Sequence, residues 1–277
     1  MNFKIITDSS SDMLSLDGIP FGVTPLKIVT DKKEYVDTPN LNVDEMVEDL
    51  FGYKGKSSSS CPNADEWLTA FDDAQYIFCI TITATLSGSY NAACIAKKMY
   101  EEQHPDREVF VINSLSTGPE MKLIVEKIKE LIENGKAFEE IGEEINLYTQ
   151  KTGLIFMLES MKNLANNGRV SHLAAKAAGL LGIRVVGKAS DVGDLQPLDK
   201  ARGEQKAITS IINRMREEGY WGGKVRIAHC QNEMVAESLK MLITKEFAKA
   251  DVEIYACRGL CSFYAEKGGV LIGFEKK

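Results

Sequence analysis

The sequence predicts an α/β protein made of two α/β domains, an N-terminal Rossmann-like domain with a parallel sheet and a C-terminal domain with a mixed sheet. Apolar runs rich in β-branched residues alternate with helical segments along the whole chain, which is typical of βαβ units. In the second half, a hairpin partner at 195–198 and several late strands favour a mixed sheet. Residues 151–153 separate the two patterns, so we expect domains at 1–150 and 151–277.

The composition is that of an ordinary globular chain. The 277 residues are 44% hydrophobic and 26% charged, with a net charge of −7 and no lysine- or arginine-rich block, which argues against a nucleic-acid partner. No run of about eighteen uncharged apolar residues occurs, and the first residues enter a strand at once. We therefore expect no signal peptide and no stable membrane insertion. Cys79 and Cys230 lie in apolar strand-like runs, and a cytoplasmic location with reduced thiols is the simplest account.

In the first half, short β-branched or aromatic runs that end at turn residues predict strands. These strands are expected at 3–7, 21–29, 35–36, 76–82 and 108–112. Helices are predicted where a capping residue or a proline precedes an amphipathic stretch. They are expected to begin at Asn42 and Asn63 and to cover 92–100, 119–133 and 138–150. Asn63 and Glu66 have the spacing of a capping box.

The second half repeats the alternation of strands and helices. Its strands are expected at 154–158, 183–187, 195–198, 225–229, 252–256 and 268–274. Its helices are expected at 161–169, 171–181, 204–217 and 235–248. The helix at 171–181 is rich in small residues, so it can pack closely on a sheet or a ligand.

Three hydroxyl-rich clusters follow the exits of strands or loops and lead into helices. They are Asp8-Ser9-Ser10, Ser57–Ser60 and Ser87-Gly88-Ser89. In a parallel sheet such exits meet at one edge, where hydroxyls and helix N-termini can hold an anionic group without a metal. The alternative is purely structural: Ser87 or Ser89 caps a helix, and Gly88 allows a tight turn.

The common catalytic signatures are absent from the sequence. It has no G-x-S-x-G nucleophile elbow, no Walker loop and no dinucleotide fingerprint after its first strand. Cys257 and Cys261 lack a second pair of metal-ligand spacing, which argues against zinc. Two alternatives stay open: a serine-dependent acyl hydrolase with Ser87 as nucleophile and His172 or His229 as base, and a phosphate-ligand-binding protein that uses the helix N-termini.

Four short motifs, in order along the chain, carry a resemblance to a known family. They are TDSS at 7–10, SSSSCP at 57–62, LSGSYN at 86–91 and NGRV at 167–170. A further stretch, 195–202, leads to an arginine ahead of a helix. Together these segments resemble the DegV family of fatty-acid-binding proteins over nearly the whole chain.

The resemblance implies a long apolar tunnel between two α/β domains, with a fatty-acid carboxylate at the loops of the N-terminal domain. It implies that Ser87 and Ser58 hydrogen-bond this carboxylate and that Arg169 supports the network. Arg202 matches a basic position that faces a partner protein. The ligand-binding residues expected in this chain are Ser57, Ser58, Ser87, Gly88, Ser89, Arg169 and Arg258.

Two segments depart from the family pattern. Ser59 and Ser60 stand where the family has Gln-Pro, so this loop lacks a rigid proline. The C-terminal H-x-G-P-G motif is replaced around 257–263, and Arg258 falls where the family histidine helps to bind the carboxylate. An arginine there could pair with a carboxylate through two hydrogen bonds. The alternative is that Arg258 faces solvent at the end of a strand.

The resemblance therefore implies a non-catalytic protein that binds a long-chain fatty acid such as palmitate. The better-studied family members are binding subunits of a fatty acid kinase, which converts the bound carboxylate to an acyl-phosphate. The partner implied here is a DhaK/DhaL-like fatty acid kinase. We expect no catalytic residue, no metal and no cofactor, with the bound fatty acid as the ligand.

Overall fold

The computed structural model of the protein describes residues 2–178 and 182–277, and strands and helices alternate along both ranges. The strands are β1 (Phe3–Asp8), β2 (Phe21–Thr24), β3 (Lys27–Thr30), β4 (Glu34–Val36), β5 (Ser57–Ser60), β6 (Tyr76–Thr81), β7 (Glu108–Asn113), β8 (Thr152–Leu158), β9 (Ile183–Ala189), β10 (Leu195–Arg202), β11 (Tyr220–His229), β12 (Asp251–Ala256) and β13 (Val270–Lys276). The α-helices are α1 (Val43–Phe51), α2 (Ala64–Phe71), α3 (Ser89–Gln103), α4 (Pro119–Glu133), α5 (Phe138–Tyr148), α6 (Lys162–Asn166), α7 (His172–Ala178), α8 (Glu204–Glu217), α9 (Glu233–Glu246) and α10 (Gly259–Ala265).

The first sheet belongs to the N-terminal half and is parallel throughout, which confirms the prediction. Its strand order is β2-β1-β6-β7. Side chains of α2 and α3 cover one face, and side chains of α4 and α5 cover the other. Because all four strands run the same way, the loops after β1, β6 and β7 lie together at the carboxyl edge of the sheet.

Four of the five predicted helix starts in this half are also confirmed, and α3 begins at Ser89, three residues before the expected start at Ala92. At the start of α2, Glu66 N donates to Asn63 Oδ1 at 2.9 Å, and Asn63 N donates to Glu66 Oε2 at 2.8 Å. This is the reciprocal pattern of a capping box, which satisfies two amides that would otherwise lack partners. Helix α4 begins at Pro119, whose missing amide hydrogen costs nothing in the first turn.

The second sheet belongs to the C-terminal half and is mixed, again as predicted. Its order is β10-β9-β8-β13-β11-β12, and its only parallel pair in the described ranges is β11 with β12. Helices α8 and α9 pack on one face. The other face turns towards the N-terminal half and carries apolar side chains from β8 and β13. The division into domains at 1–150 and 151–277 stays a prediction.

A small antiparallel sheet of order β4-β3-β5 corrects two expectations. A single strand over 21–29 is wrong, because β2 and β3 belong to different sheets. Pro25 lies between them and has no amide hydrogen for a sheet ladder. The serine run, for which no strand was expected, forms β5 along β3. Serine has little intrinsic preference for strands, so the pairing comes from the tertiary structure.

Two helices differ from the expectation. Helix α10 is separated by two residues from the end of β12 and lies in a segment where no helix is expected from the sequence. Of the helix expected at 171–181, α7 covers His172–Ala178, and positions 179–181 lie outside the described residues. Nowhere in the described ranges does a helix combine the length and the apolar character needed to cross a lipid bilayer.

Candidate functional site

An apolar cavity of about 270 Å³ lies between the carboxyl edge of the parallel sheet and the inner face of the mixed sheet. Both halves of the chain contribute to its wall. Its apolar lining includes Leu26, Ile82, Leu154, Phe156, Leu158 and Leu271. The volume is just below the ~300–1,000 Å³ that is common for small-molecule sites. Such sites typically carry a few polar groups on an apolar wall.

Strand alternation explains why β8 supplies much of this wall. Leu154, Phe156 and Leu158 are two residues apart, so their side chains leave the strand on the same face. All three are at most 3% exposed. Phe156 lies over Gly187 of the neighbouring strand, where a Cβ atom would come within 2.3 Å of its ring. A glycine is therefore required beside this aromatic side chain.

One end of the cavity is polar and reaches the surface. Ser87 and Gly88, in the loop after β6, line it together with Arg169. Ser87 Oγ accepts a hydrogen bond from Ser89 N at 3.3 Å, and its own hydroxyl hydrogen has no acceptor in the described part of the chain. Gly88 lies against Cys61, whose Sγ would be 3.1 Å from an added Cβ atom. The structure therefore brings three of the predicted residues to one place, with a donor still available.

Arg169 carries a charge that no acidic side chain in the described part of the chain neutralises. Its Nε donates to the carbonyl oxygen of Leu86 at 3.3 Å, and its Nη1 donates to the carbonyl oxygen of Asn167. The guanidinium lies 5.8 Å from the ring centroid of Tyr264. It forms no ion pair with a carboxylate in the ranges 2–178 and 182–277. A cation held by carbonyl groups beside an apolar cavity is suited to binding an anion.

Tyr264 and Ser59 add a second pair of polar groups to the same wall. Their hydroxyls lie 2.7 Å apart, and both residues line the cavity. Burial raises the pKa of Tyr264, although the hydrogen bond with Ser59 and the nearby Arg169 charge oppose the rise. Tyr264 is therefore a neutral phenol that can donate or accept a hydrogen bond.

The serine run lines the cavity at different positions from those expected. Ser59 and Ser60 line it together with Cys61, whereas Ser57 and Ser58 do not. Strand β5 pairs with β3 along its whole length and meets the cavity only at its carboxyl end, at Ser59 and Ser60. Ser57 instead offers its carbonyl oxygen to Asn167 Nδ2 at 3.2 Å. The expected contacts of Ser57 and Ser58 with a ligand are not supported by this geometry.

Ser89 also lies apart from the cavity. It is fully buried, and its hydroxyl donates to Asp8 Oδ2 at 2.6 Å. The same carboxylate accepts from Ile82 N at 2.9 Å, and its other oxygen accepts from the amide and the hydroxyl of Ser10. Burial raises the pKa of Asp8, and these hydrogen bonds oppose the rise. The first and third hydroxyl clusters do converge, but the Ser89 hydroxyl is already hydrogen-bonded to Asp8 and is not available to a ligand.

Arg258 is placed away from the cavity, in contrast to the expectation. Its Nη2 donates to the carbonyl oxygen of Thr38 at 2.6 Å, and its Nε lies 4.0 Å from Asp37 Oδ1. The reason is the position of Asp37, which accepts hydrogen bonds from the amides of Gly259 and Leu260, both at 2.9 Å, and so fixes the start of α10. Arg258 immediately precedes that helix, so its guanidinium lies beside the Asp37 carboxylate.

Arg202 ends β10 on the surface and does not line the cavity. The prediction that it faces a partner stays a prediction.

Neither His172 nor His229 lines the cavity, and His229 Nδ1 accepts from Asn232 N at 3.3 Å. Within the described residues, no group of three His, Cys, Asp or Glu side chains could hold a metal ion.

Sequence reasoning missed Tyr264 and the apolar wall that α10 provides. Leu260 and Tyr264 line the cavity, four residues apart on one side of this helix. Their spacing together with Phe263 is the helical pattern i, i+3, i+4, and this signal was available. Ser59 could not have been preferred over Ser58 in this way, because the choice depends on where β5 meets the cavity.

Comparison with known proteins gives one consistent answer. Residues 2–277 match a family model described as "Uncharacterised protein, DegV family". A DegV domain-containing protein of Streptococcus pneumoniae serotype 4 is 44% identical over 279 aligned residues, which cover 99% of each chain.

Two solved structures have the same fold over their whole length. One is a DegV family protein from Eubacterium eligens loaded with heptadecanoic acid, with 44% identity, a TM-score of 0.98, and 99% of this chain and 100% of that chain covered. The other is the fatty acid kinase (Fak) B3 protein of Streptococcus pneumoniae loaded with linoleic acid, with 43% identity, a TM-score of 0.98 and both chains fully covered. This chain therefore belongs to the DegV family.

Proposed function

We propose that this protein binds a long-chain fatty acid, with the carboxylate at Ser87 and Arg169 and the acyl chain in the apolar cavity. The observation that carries the proposal is the Arg169 guanidinium, which has no carboxylate partner in the described residues and lies at the polar end of an otherwise apolar cavity. A fatty acid matches both features in one molecule. Relatives that were solved with heptadecanoic and linoleic acids support this choice of ligand.

The two ends of the ligand have different energetic roles. Each buried methylene contributes about 0.8 kcal/mol, so most of the affinity comes from the acyl chain. A charge-assisted hydrogen bond at the carboxylate contributes about 1.5–3 kcal/mol. This contribution orients the ligand and selects acids over neutral lipids, because a neutral head group would leave the guanidinium without an anionic partner.

We also propose that the protein presents the bound acid to a fatty acid kinase rather than acting as an enzyme. Gly88 is exposed and Ser87 and Arg169 are partly exposed, so a partner can reach the carboxylate while the acyl chain stays buried. Similarity to the fatty acid kinase B3 protein supports a kinase partner, and a DhaK/DhaL-like kinase is the specific form of this proposal. Ser87 has no histidine within hydrogen-bonding distance in the described chain, which disfavours the acyl hydrolase.

The test is to extract ligands from the purified protein, identify them by mass spectrometry, and then measure binding of palmitic acid and hexadecanol to the delipidated protein. We expect a fatty acid in the extract and at least about tenfold tighter binding of the acid, which corresponds to about 1.4 kcal/mol. Recovery of a polar phosphate, or equal binding of acid and alcohol, would overturn the proposal. A fluorophosphonate probe that labels Ser87 with ester turnover would support a hydrolase instead.

A further inference from the structure

A second cavity of about 260 Å³ lies next to the apolar one and has a different chemical character. Its lining includes Ser114, Glu120, Thr152, Lys188, Glu218 and Lys276. Glu120 is 5% exposed, and its Oε1 accepts from the Thr152 hydroxyl at 2.7 Å. This cavity is more polar than the first one, because a buried carboxyl group and charged side chains line part of it, beside Leu115 and Phe274.

Leu154 is the residue that the two cavities share. On β8 it lies between Thr152, which lines only the polar cavity, and Phe156, which lines only the apolar one. These three side chains leave the strand on the same face. The wall therefore changes from polar to apolar at Leu154, which is itself 2% exposed.

The residue paired with Leu154 on strand β13 has no side chain that could help to separate the two cavities. In the pairing of β8 with β13, Leu154 is opposite Gly273. An added Cβ atom at Gly273 would come within 2.6 Å of the backbone of Pro119 and Glu120, so the start of α4 packs directly on that glycine. No side chain from position 273 can assist in separating the cavities.

The structure also defines how far Leu154 lies from Arg169, where the ligand carboxylate is proposed to bind. Leu158 ends β8, α6 follows it, and the chain then reaches Arg169. Leu154 lies about 13 Å from Leu158 along the extended strand, towards Thr152 and Glu120. An acyl chain that starts at Arg169 and runs along β8 therefore reaches Leu154 last.

We infer that Leu154 sets the length limit for the acyl chain by separating the apolar cavity from the polar cavity at Glu120. The inference rests on the proposed function, because it assigns the far end of the same ligand. A chain that is too long must displace the Leu154 side chain and place its terminal methyl group beside charged and hydroxyl groups. Each methylene that fits adds about fourfold to the affinity, and this gain stops at the barrier.

The test compares Leu154→Ala with wild type in binding of palmitic, stearic, arachidic and behenic acids to the delipidated protein. We expect the ratio of arachidic to palmitic affinity to rise about tenfold in Leu154→Ala, because the two cavities join. Leu154→Phe should lower this ratio. Leu154→Met, which conserves the volume, should leave it within about twofold of wild type.

Leu158→Ala is the matched control, since Leu158 is a buried leucine of the same strand that lines only the apolar cavity. It should weaken all four acids to a similar extent and leave the ratio unchanged. An unchanged ratio in both Leu154→Ala and Leu154→Phe, or an equal shift in Leu158→Ala, would overturn the inference. Absence of fatty-acid binding in wild type would instead overturn the proposed function, so the two failures are distinguishable.

Discussion

Two polar regions at the carboxyl edge of the parallel sheet have similar side chains, yet they differ in whether their hydrogen bonds are complete. In the closed region, Asp8 is fully buried and accepts from Ile82 N and from the hydroxyls of Ser10 and Ser89. In the open region, the Ser87 hydroxyl hydrogen and the Arg169 charge have no partner of the matching kind among the described residues. The closed region therefore stabilises the fold, and the open region is available to a ligand.

The contrast shows that residue type does not identify a binding group. Ser87 and Ser89 are two positions apart in one loop-helix junction, but only Ser87 lines the cavity. Arg169 and Arg258 are both partly buried, but Arg169 forms no ion pair within the described residues, whereas Arg258 lies beside Asp37. Substitutions in the closed region should therefore change stability, and substitutions in the open region should change ligand binding.

The largest expected effect is on the pH dependence of stability, through Asp12, a buried carboxyl group four residues after Asp8. Burial raises the pKa of Asp12 to about 8; a hydrogen bond from Arg258 N opposes the rise, and the nearby Asp37 charge adds to it. Because this folded-state pKa lies above the unfolded value of 3.8, the contribution of Asp12 is complete below pH 3.8 and is lost as the pH rises to about 8.

Asp12→Asn cannot ionise, so it should show no such loss. Urea denaturation across that pH range should show that the variant becomes more stable relative to wild type as the pH rises. The difference in unfolding free energy should grow by at most about 1.4 kcal/mol per pH unit. A constant difference across the range would contradict the assignment.

The second effect is the loss of the closed region itself in Asp8→Ala. This change leaves the Ile82 amide and two buried hydroxyls without their acceptor, so we expect the free energy of unfolding to fall by about 3 kcal/mol. Asp8→Asn keeps an acceptor oxygen and should lose less. Chemical denaturation at neutral pH measures both, and a loss below about 1 kcal/mol in Asp8→Ala would show that the network contributes little.

The third effect is on ligand affinity at the open region. Arg169→Gln removes the unpaired charge, so palmitic acid should bind about 10–100-fold more weakly while hexadecanol binding changes little. Arg258→Gln is the matched control: its guanidinium faces Asp37 and Thr38, so acid affinity should stay within about twofold of wild type. If Arg258→Gln weakens the acid as much as Arg169→Gln, the contrast between the two arginines fails.

The smallest effect compares two serines of the same loop. Ser87→Ala should lower acid affinity about fivefold and leave stability within about 0.5 kcal/mol, because the fold loses only the long, part-exposed hydrogen bond from Ser89 N at 3.3 Å. Ser89→Ala should lower the free energy of unfolding by about 1 kcal/mol, because Asp8 loses a buried donor. Isothermal titration and urea denaturation of both variants would detect the opposite pattern, which would exchange the roles of the two serines.

Much of the fold follows from local patterns in the sequence. The limits of α4 at Pro119 and Glu133 were predicted, because proline at the first helical position and Asn134-Gly135 after the last are local signals. The parallel first sheet and the mixed second sheet were predicted from the order of strands and helices. The failures were the single strand at 21–29, which is two strands in different sheets, and the elements β5 and α10. The serine run takes its strand conformation from β3, and the start of α10 depends on Asp12 and Asp37.

For the site, the sequence by itself determined the family, the edge of the sheet at which the polar loops meet, and the candidates Ser87, Gly88 and Arg169. The tertiary structure alone decided which hydroxyls and arginines remain available. The physical reason is that the deciding partners are far apart in the chain: 81 positions separate Asp8 from Ser89, 205 separate Ser59 from Tyr264, and 246 separate Asp12 from Arg258. The local sequence determines which polar residue stands in each loop, but only folding brings the donor or acceptor that satisfies its side chain.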